Sequence, residues 1–363
     1  MWPLIGKRSG ARPPGTAATA RATLLALVAL LPSQWTATAA YATESSGGGA
    51  PSSEARLLFD ASVPADGGGA DLHVYAHGTD RTNPVVGMIN GGPCSPLWGV
   101  ANEFLAPLTD EFTLAYFDTR SVGASTGEAP ESWQTHVGDV LAVARAMRTT
   151  FSQTDVMLWG WSAGSLLALN ASTQAEAGLV RGVVVTSLKV DAQRGFPYRY
   201  QAVEQVYGVP PWLTSSLPLL LQRALFFSAP HLYACNSQPR DVLGCADVAT
   251  RLVTGVADTR GVAGAMRSAA QAEWCRIQLG DEWNDIRMST IRGTVPAPLY
   301  VLLGRHDRMD PSEFATPEAL APLAPPELHF RWFEASAHVP FAEQTDEYVA
   351  VTRAALRAMR DRA

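Results

Sequence analysis

The stretch Leu158-Trp159-Gly160-Trp161-Ser162-Ala163-Gly164-Ser165 constrains this chain more than any other. Residues 155 to 159 read as a short, nearly continuous apolar strand, and residues 163 to 176, rich in alanine and leucine, read as a helix. Between them lies Gly160-x-Ser162-x-Gly164, a G-x-S-x-G run in the strand-to-helix context that gives the motif meaning. A serine on so sharp a turn adopts strained backbone angles and needs small neighbours, which the two glycines supply. The turn lifts the hydroxyl clear of the sheet, and the helix behind it points its positive end at developing negative charge. A tight turn with a capping serine would use the same five residues. The strand before and the helix after favour Ser162 as a nucleophile.

A serine hydroxyl is a poor nucleophile unless a base takes its proton, and the base needs an acid to hold its ring and tautomer. In a strand–helix–strand topology these partners follow the nucleophile in the order acid, then histidine, on loops at the carboxyl ends of strands. Gly304-Arg305-His306-Asp307-Arg308-Met309-Asp310-Pro311 follows one apolar strand, and Ala335-Ser336-Ala337-His338-Val339-Pro340 follows the last. Asp307 is the candidate acid, with Asp310 competing. His338 is the candidate base, ahead of His306, which adjoins the acid, and His329, which lies inside a strand. Two preorganised donors should face the developing oxyanion. The backbone NH of Ala163, next to the nucleophile, is one; the Gly91-Gly92 loop, which lacks side chains, supplies the other.

The rest of the chain supports a sheet of mostly parallel strands with helices on both faces. A hairpin-like opening (56–60 and 71–76, around Gly67-Gly68-Gly69) precedes apolar strands at 85–89, 112–117, 155–159 and 180–186, with helices near 97–107 and over 132–150. Strand alternating with helix means an α/β fold. The alternation stops over 188–293, where prolines, aromatics and helical runs predict an inserted helical cap. It resumes with strands at 298–303 and 327–333, a helix around 312–323 and an amphipathic helix from Phe341 to about Arg360. The core is therefore expected in two parts, 55–187 and 294–363.

Residues 1–42 read as a signal peptide: Lys7, Arg8, Arg12 and Arg21 precede an apolar run at 22–31, and Ala40-Tyr41-Ala42 supplies a small-x-small site. Residues 43–54 read as a flexible linker. A secreted or extracytoplasmic protein with no stable membrane association after signal removal is the expectation. Net charge of -6 gives no basic footprint for nucleic acid. Cys94, Cys235, Cys245 and Cys275 permit two bridges in an oxidising compartment, in any of three pairings. Cys235–Cys245 closes the shortest loop and is the bridge expected first. The cysteine spacing lacks the close pairs of a zinc site, so no metal is predicted.

These motifs together resemble a known family. Gly91-Gly92-Pro93 after a strand, Asp118-x-Arg120-x-x-Gly123-x-Ser125 after the next and Gly160-x-Ser162-x-Gly164 before a helix resemble the α/β-hydrolase fold serine peptidases of the prolyl iminopeptidase and tripeptidyl aminopeptidase type. The resemblance runs from about residue 56 to the end. It implies hydrolysis of an amide bond beside a free amino terminus, often that of proline, on small or short peptide substrates and without a cofactor. The family usually has His-Gly-Gly-Pro-Gly, where this chain has Asn90 and Cys94 at the ends, and glycine directly after the arginine, where this chain has Ser121. Cap carboxylates bind the substrate amine in that family. Glu204, Glu273 and Glu282, together with Asp281, would suit a cationic amine, and Trp212, Phe226, Phe227, Trp274 and Trp283 would pack the cap or line an apolar pocket. The rival on the same triad is a carboxylesterase, lactonase or acyltransferase; a non-catalytic binding protein is a second rival. Epoxide hydrolase and dehalogenase chemistry would need a carboxylate where Ser162 stands.

Overall fold

Strands flanked by helices on both faces must be apolar throughout, whereas strands with one solvated face alternate. Both patterns occur. In the computed structural model, β3 (Val85–Ile89) is buried at every position, and β5 (Val156–Trp161), β6 (Val180–Thr186) and β7 (Leu299–Gly304) at nearly every one. Strand β2 (Asp71–Gly78) instead alternates buried and partly exposed residues against β1 (Arg56–Pro64). The structure describes residues 55–92, 94, 104–130, 132–191, 271, 275, 279, 287–307, 309 and 311–362. With β4 (Thr113–Phe117) and β8 (Leu328–Phe333), the strands form one eight-stranded sheet in the order β1-β2-β4-β3-β5-β6-β7-β8. The β1/β2 and β2/β4 pairs are antiparallel and the remaining five are parallel.

Successive side chains of a strand point to opposite faces, so each central strand feeds two cores. Leu158, Val183, Val185, Val301 and Leu303 pack with α1 (Trp133–Thr150) and α2 (Ala163–Gln174) through residues such as Val140, Leu166 and Leu167. Met157, Trp159, Val184 and Leu302 turn the other way and meet Phe341, Leu356 and Met359, the last two on α3 (Thr345–Arg360). On that second face Trp159, Tyr348 and Thr186 satisfy one another. Trp159 Nε1 donates to the Tyr348 hydroxyl at 2.8 Å, and that hydroxyl also bonds Thr186 Oγ1 at 2.5 Å. Burial pushes the Tyr348 phenol up to about 12 and keeps it neutral.

Several boundaries differ from the sequence reading for identifiable reasons. Strand β5 runs through Trp161 instead of stopping at residue 159, because Gly160 and Trp161 still pair with Val185 and Thr186 of β6. The helix expected around 312–323 is three short turns, Ser312–Phe314, Pro317–Leu320 and Ala321–Leu323, interrupted by prolines that cannot donate to a continuing helix. The expected final helix is two, Pro340–Glu343 and α3, separated at Gln344, where φ is -130°. Helix α1 begins where expected, with the Ser132 side chain accepting from the Thr135 amide. The signal peptide, the linker, most of the 188–293 cap and most of the helix near 97–107 lie outside the described residues.

The final helix is fastened by charge to the turn that leads into β4. Arg353 Nη1 lies 2.8 Å from Asp110 Oδ1 and 2.5 Å from Glu111 Oε1, and Arg357 Nε lies 2.6 Å from Glu111 Oε2. The Arg357 hydrogen bond, with help from Arg353, draws the Glu111 carboxyl down to about 2 from 4.5. Stability from a carboxylate depressed in this way is fully present above its unfolded value and is lost as pH falls towards the folded one. Glu111→Gln is therefore expected to cost about 1 kcal/mol at pH 7, after allowance for partial solvent screening. Denaturant titrations at pH 7 and 3.5 check this: the gap between parent and variant should narrow at the lower pH, and an unchanged gap would contradict the ion-pair origin.

Candidate active site

The nucleophile candidate stands on strained backbone. Ser162 has φ 54° and ψ -122°, a region that side chains rarely occupy, between the end of β5 and the first turn of α2. The strain is fixed from both sides, since the Ser162 amide donates to Thr186 O on β6 at 2.9 Å, and the Ser165 amide and hydroxyl both donate to Ser162 O. The flanking glycines are required by contact. A Cβ on Gly160 would lie 2.3 Å from Gly164 O, and one on Gly164 would lie 2.2 Å from Asn90 O. The second contact also shows that the end of β3 runs directly against the start of α2, which brings the Gly91-Gly92 loop to Ser162.

That approach involves a residue the sequence reading passed over. Trp161, the first variable position of the G-x-S-x-G run, packs so closely on Gly91 that a Cβ there would sit 2.7 Å from its ring. Its indole Nε1 donates to His338 O at 2.9 Å, and its ring centroid lies 5.6 Å from that of His338. Ser187, just beyond β6, donates a second hydrogen bond to the same carbonyl, also at 2.9 Å. The backbone of His338 is thus held by the residue preceding Ser162 and by the neighbouring strand. Neither Trp161 nor Ser187 carries a sequence signal for this beyond its place at a strand end.

Asp307 and His338 meet as expected. Asp307 Oδ2 is 2.8 Å from His338 Nδ1, with both side chains buried, and Asp307 Oδ1 accepts from the Met309 amide at 2.9 Å. A Cβ at Gly304 would strike Ala337 O at 1.8 Å, so the histidine loop lies directly against the end of β7. The competing histidines are placed elsewhere: His329 stacks on Tyr300 on β7 with centroids 4.4 Å apart and pairs with Glu327, whereas His306 sends its amide to Ser336 O. Asp310 lies outside the described residues, as do Glu204, Glu273, Glu282, Asp281 and the five cap aromatics.

Beside the Gly91-Gly92 loop, Asn90 is buried, and neither polar atom of its carboxamide has a hydrogen-bond partner among the described residues. Gly92 has φ 45° and Cys94 φ 69°, so the loop turns through left-handed conformations on both sides of residue 93. Cys94 is joined to Cys275 in a disulfide. The expected Cys235–Cys245 bridge lies outside the described residues. Among the described residues, Cys94, Cys275 and His136 form a grouping whose ligand atoms lie within 4.8 Å of one another, but its two sulfurs are bonded to each other. Burial, with Arg120 adding to it, pushes His136 down to about 3, so its ring is neutral.

The motif after β4 is a brace. Asp118 Oδ2 accepts from the Ala124 amide at 2.9 Å, and the Ser125 hydroxyl donates to Asp118 O at 2.5 Å and accepts from the His73 amide at 2.8 Å. Arg120 reaches α1 through a two-pronged pair with Asp139, at 2.8 and 2.5 Å. Burial raises the Asp139 carboxyl, while the Arg120 hydrogen bond opposes that rise. Ser121, where the resembled family has glycine, keeps the left-handed backbone at φ 65°.

Comparison with known proteins agrees with this architecture. The chain is 23% identical over 287 residues to the Bacillus subtilis (strain 168) protein called "Probable aminopeptidase YbaC", covering 74% of this chain and 87% of that one. In fold it is similar to the esterase EaEST of Exiguobacterium antarcticum (TM-score 0.56, 16% identity, 82% of this chain and 100% of that one). It is also similar to 2-hydroxy-6-oxo-6-phenylhexa-2,4-dienoate hydrolase of Rhodococcus sp. strain RHA1 (TM-score 0.55, 16% identity, 84% and 99%). At such identities the structural likeness speaks for the fold alone. The alpha/beta hydrolase family model matches residues 74–351, a span that takes in the strained serine, the Asp307–His338 pair and the Gly91-Gly92 loop, and the chain belongs to that family.

Proposed function

We propose that the chain is a serine hydrolase in which Ser162 attacks a carbonyl carbon, His338 takes its proton and Asp307 holds the imidazole. The observation that carries this reading is the buried 2.8 Å contact from Asp307 to His338 Nδ1, on a loop anchored to the residue before Ser162. A carboxylate on Nδ1 fixes the tautomer whose Nε2 carries no proton and can accept the one from serine, and it stabilises the imidazolium that results. The tetrahedral oxyanion is received by the backbone NH of Ala163 and by the Gly91-Gly92 loop. Collapse of that intermediate releases the amine or alcohol, which takes its proton from His338. Water then repeats the sequence on the acyl-enzyme. No cofactor enters any step.

For the substrate, we infer a peptide or amino-acid amide with a free amino terminus, cut after its N-terminal residues. The motif combination and the likeness to a protein named as an aminopeptidase support this. Export also fits, since a disulfide such as Cys94–Cys275 persists in oxidising compartments. The second reading is an esterase or acyltransferase. It is favoured by Asn90 and Cys94, which replace the usual family residues at both ends of the oxyanion loop. Rates on prolyl nitroanilide, its N-acetylated counterpart and a simple nitrophenyl ester separate the two. Turnover of only the free-amine anilide is the expected result; turnover of the ester with neither anilide cut would transfer the assignment to the esterase reading.

A further inference from the structure

Cys94 stands two residues beyond Gly92, and its partner Cys275 is 181 residues away in sequence. Residues 271, 275 and 279 are helical and fall one turn apart, with Cys275 and Leu279 buried in the main core. The same helical face makes a second connection, because Gln271 Oε1 accepts from the Gly123 amide at 3.1 Å, in the loop after β4. Both loops it touches leave adjacent parallel strands, β3 and β4. The β4 loop is held from the other side by Arg120 on Asp139, and on the same helix α1 His136 Nε2 lies 3.8 Å from Cys94 Sγ. A loop of left-handed turns has little intrinsic preference for one shape, and Gly91 and Gly92 have no side chains with which to anchor it. Its ends are instead fixed by the close approach to Trp161 and Gly164 on one side and by the disulfide on the other.

We propose that the Cys94–Cys275 disulfide is a positioning element for the oxyanion loop, tying residue 94 to the helical face that carries residues 271, 275 and 279 so that the Gly91-Gly92 backbone is preorganised for the transition state. The inference rests on the serine hydrolase reading above. Preorganised donors act on the charged intermediate and much less on the bound substrate. Loosening them should therefore lower kcat while leaving KM nearly alone, a pattern that a general loss of packing would not give.

The test begins with a serine-directed fluorophosphonate on the parent enzyme. Failure of Ser162 to react would remove the hydrolase reading itself, and this proposal with it. With labelling established, Cys94→Ala/Cys275→Ala is compared with the parent on the better substrate. The expected result is a kcat lower by about 10- to 100-fold with KM within about threefold, and a loss of affinity for a boronic acid transition-state analogue that parallels the loss in kcat. A folded double variant with parental kcat would overturn the proposal, as would a rise in KM that accounts for the whole effect. Should the double variant not fold, Cys235→Ser/Cys245→Ser, which keeps Cys94–Cys275 as its one possible bridge, is reduced with dithiothreitol, which leaves as its cyclic disulfide while two thiols form. Activity that falls on reduction and returns on reoxidation supports the proposal; unchanged activity after complete reduction, shown by alkylation of both thiols, refutes it.

Discussion

Ser162→Ala is expected to lower kcat/KM by about 10⁶-fold on whichever substrate the enzyme turns over best, with a melting temperature close to that of the parent. The size of the loss follows from the nucleophile acting as one unit with His338 and Asp307; what survives is the contribution of the oxyanion donors and binding. The small stability effect follows from where the strain resides. The φ of 54° is imposed by hydrogen bonds to Thr186 O and from Ser165, and alanine is strained there to the same degree as serine. Ser162→Gly separates the two contributions further, because glycine occupies that region without penalty. It should be as inactive as the alanine variant and at least as stable. Substantial turnover by either variant would remove Ser162 from the chemistry.

Asp307→Asn is expected to cost about 10⁴-fold in kcat with little change in fold. An asparagine oxygen could keep the 2.9 Å hydrogen bond from the Met309 amide. Its amide nitrogen would then face His338 Nδ1 as a donor, favouring the tautomer whose Nε2 carries the proton and cannot act as a base. Asp310→Asn, measured beside it, should remain near the parental rate. A reversal of the two results would make Asp310 the acid and reduce the buried Asp307–His338 contact to a structural pair.

Much of this arrangement was legible because the residues concerned are either strictly patterned or chemically singular. The buried strands could be read from unbroken apolar runs, and Ser162, Asp307 and His338 from residue type plus position after a strand. Contacts that depend on distance in the folded chain were not legible. Trp161 looks like any large apolar residue before a turn, and only the register of β5 on β6 places its indole NH beside the His338 carbonyl. Closure entropy favours Cys235–Cys245, and with two bridges that choice leaves Cys94 with Cys275, the pair found; what loop length could not show is that the longer bridge lies beside the Gly91-Gly92 loop. The broken 312–323 segment was misread because its apolar spacing is helical while its prolines interrupt the ladder.

The strand order has a consequence for how this scaffold can vary. The chain builds outward from β3 to β4 in one direction, then reverses and continues through β5, β6, β7 and β8 in the other. At such a topological switch point the connections leave on opposite sides, and a crevice opens beyond the carboxyl ends of the central strands. Ser162 and Gly91-Gly92 end the two strands that border this divide, while Asp307 and His338 arrive from farther along the sheet. On the proposed mechanism, bond cleavage belongs to the seam and ligand choice to the loops that surround it. A descendant could exchange those loops, and with them its substrate, without moving the atoms that break the bond.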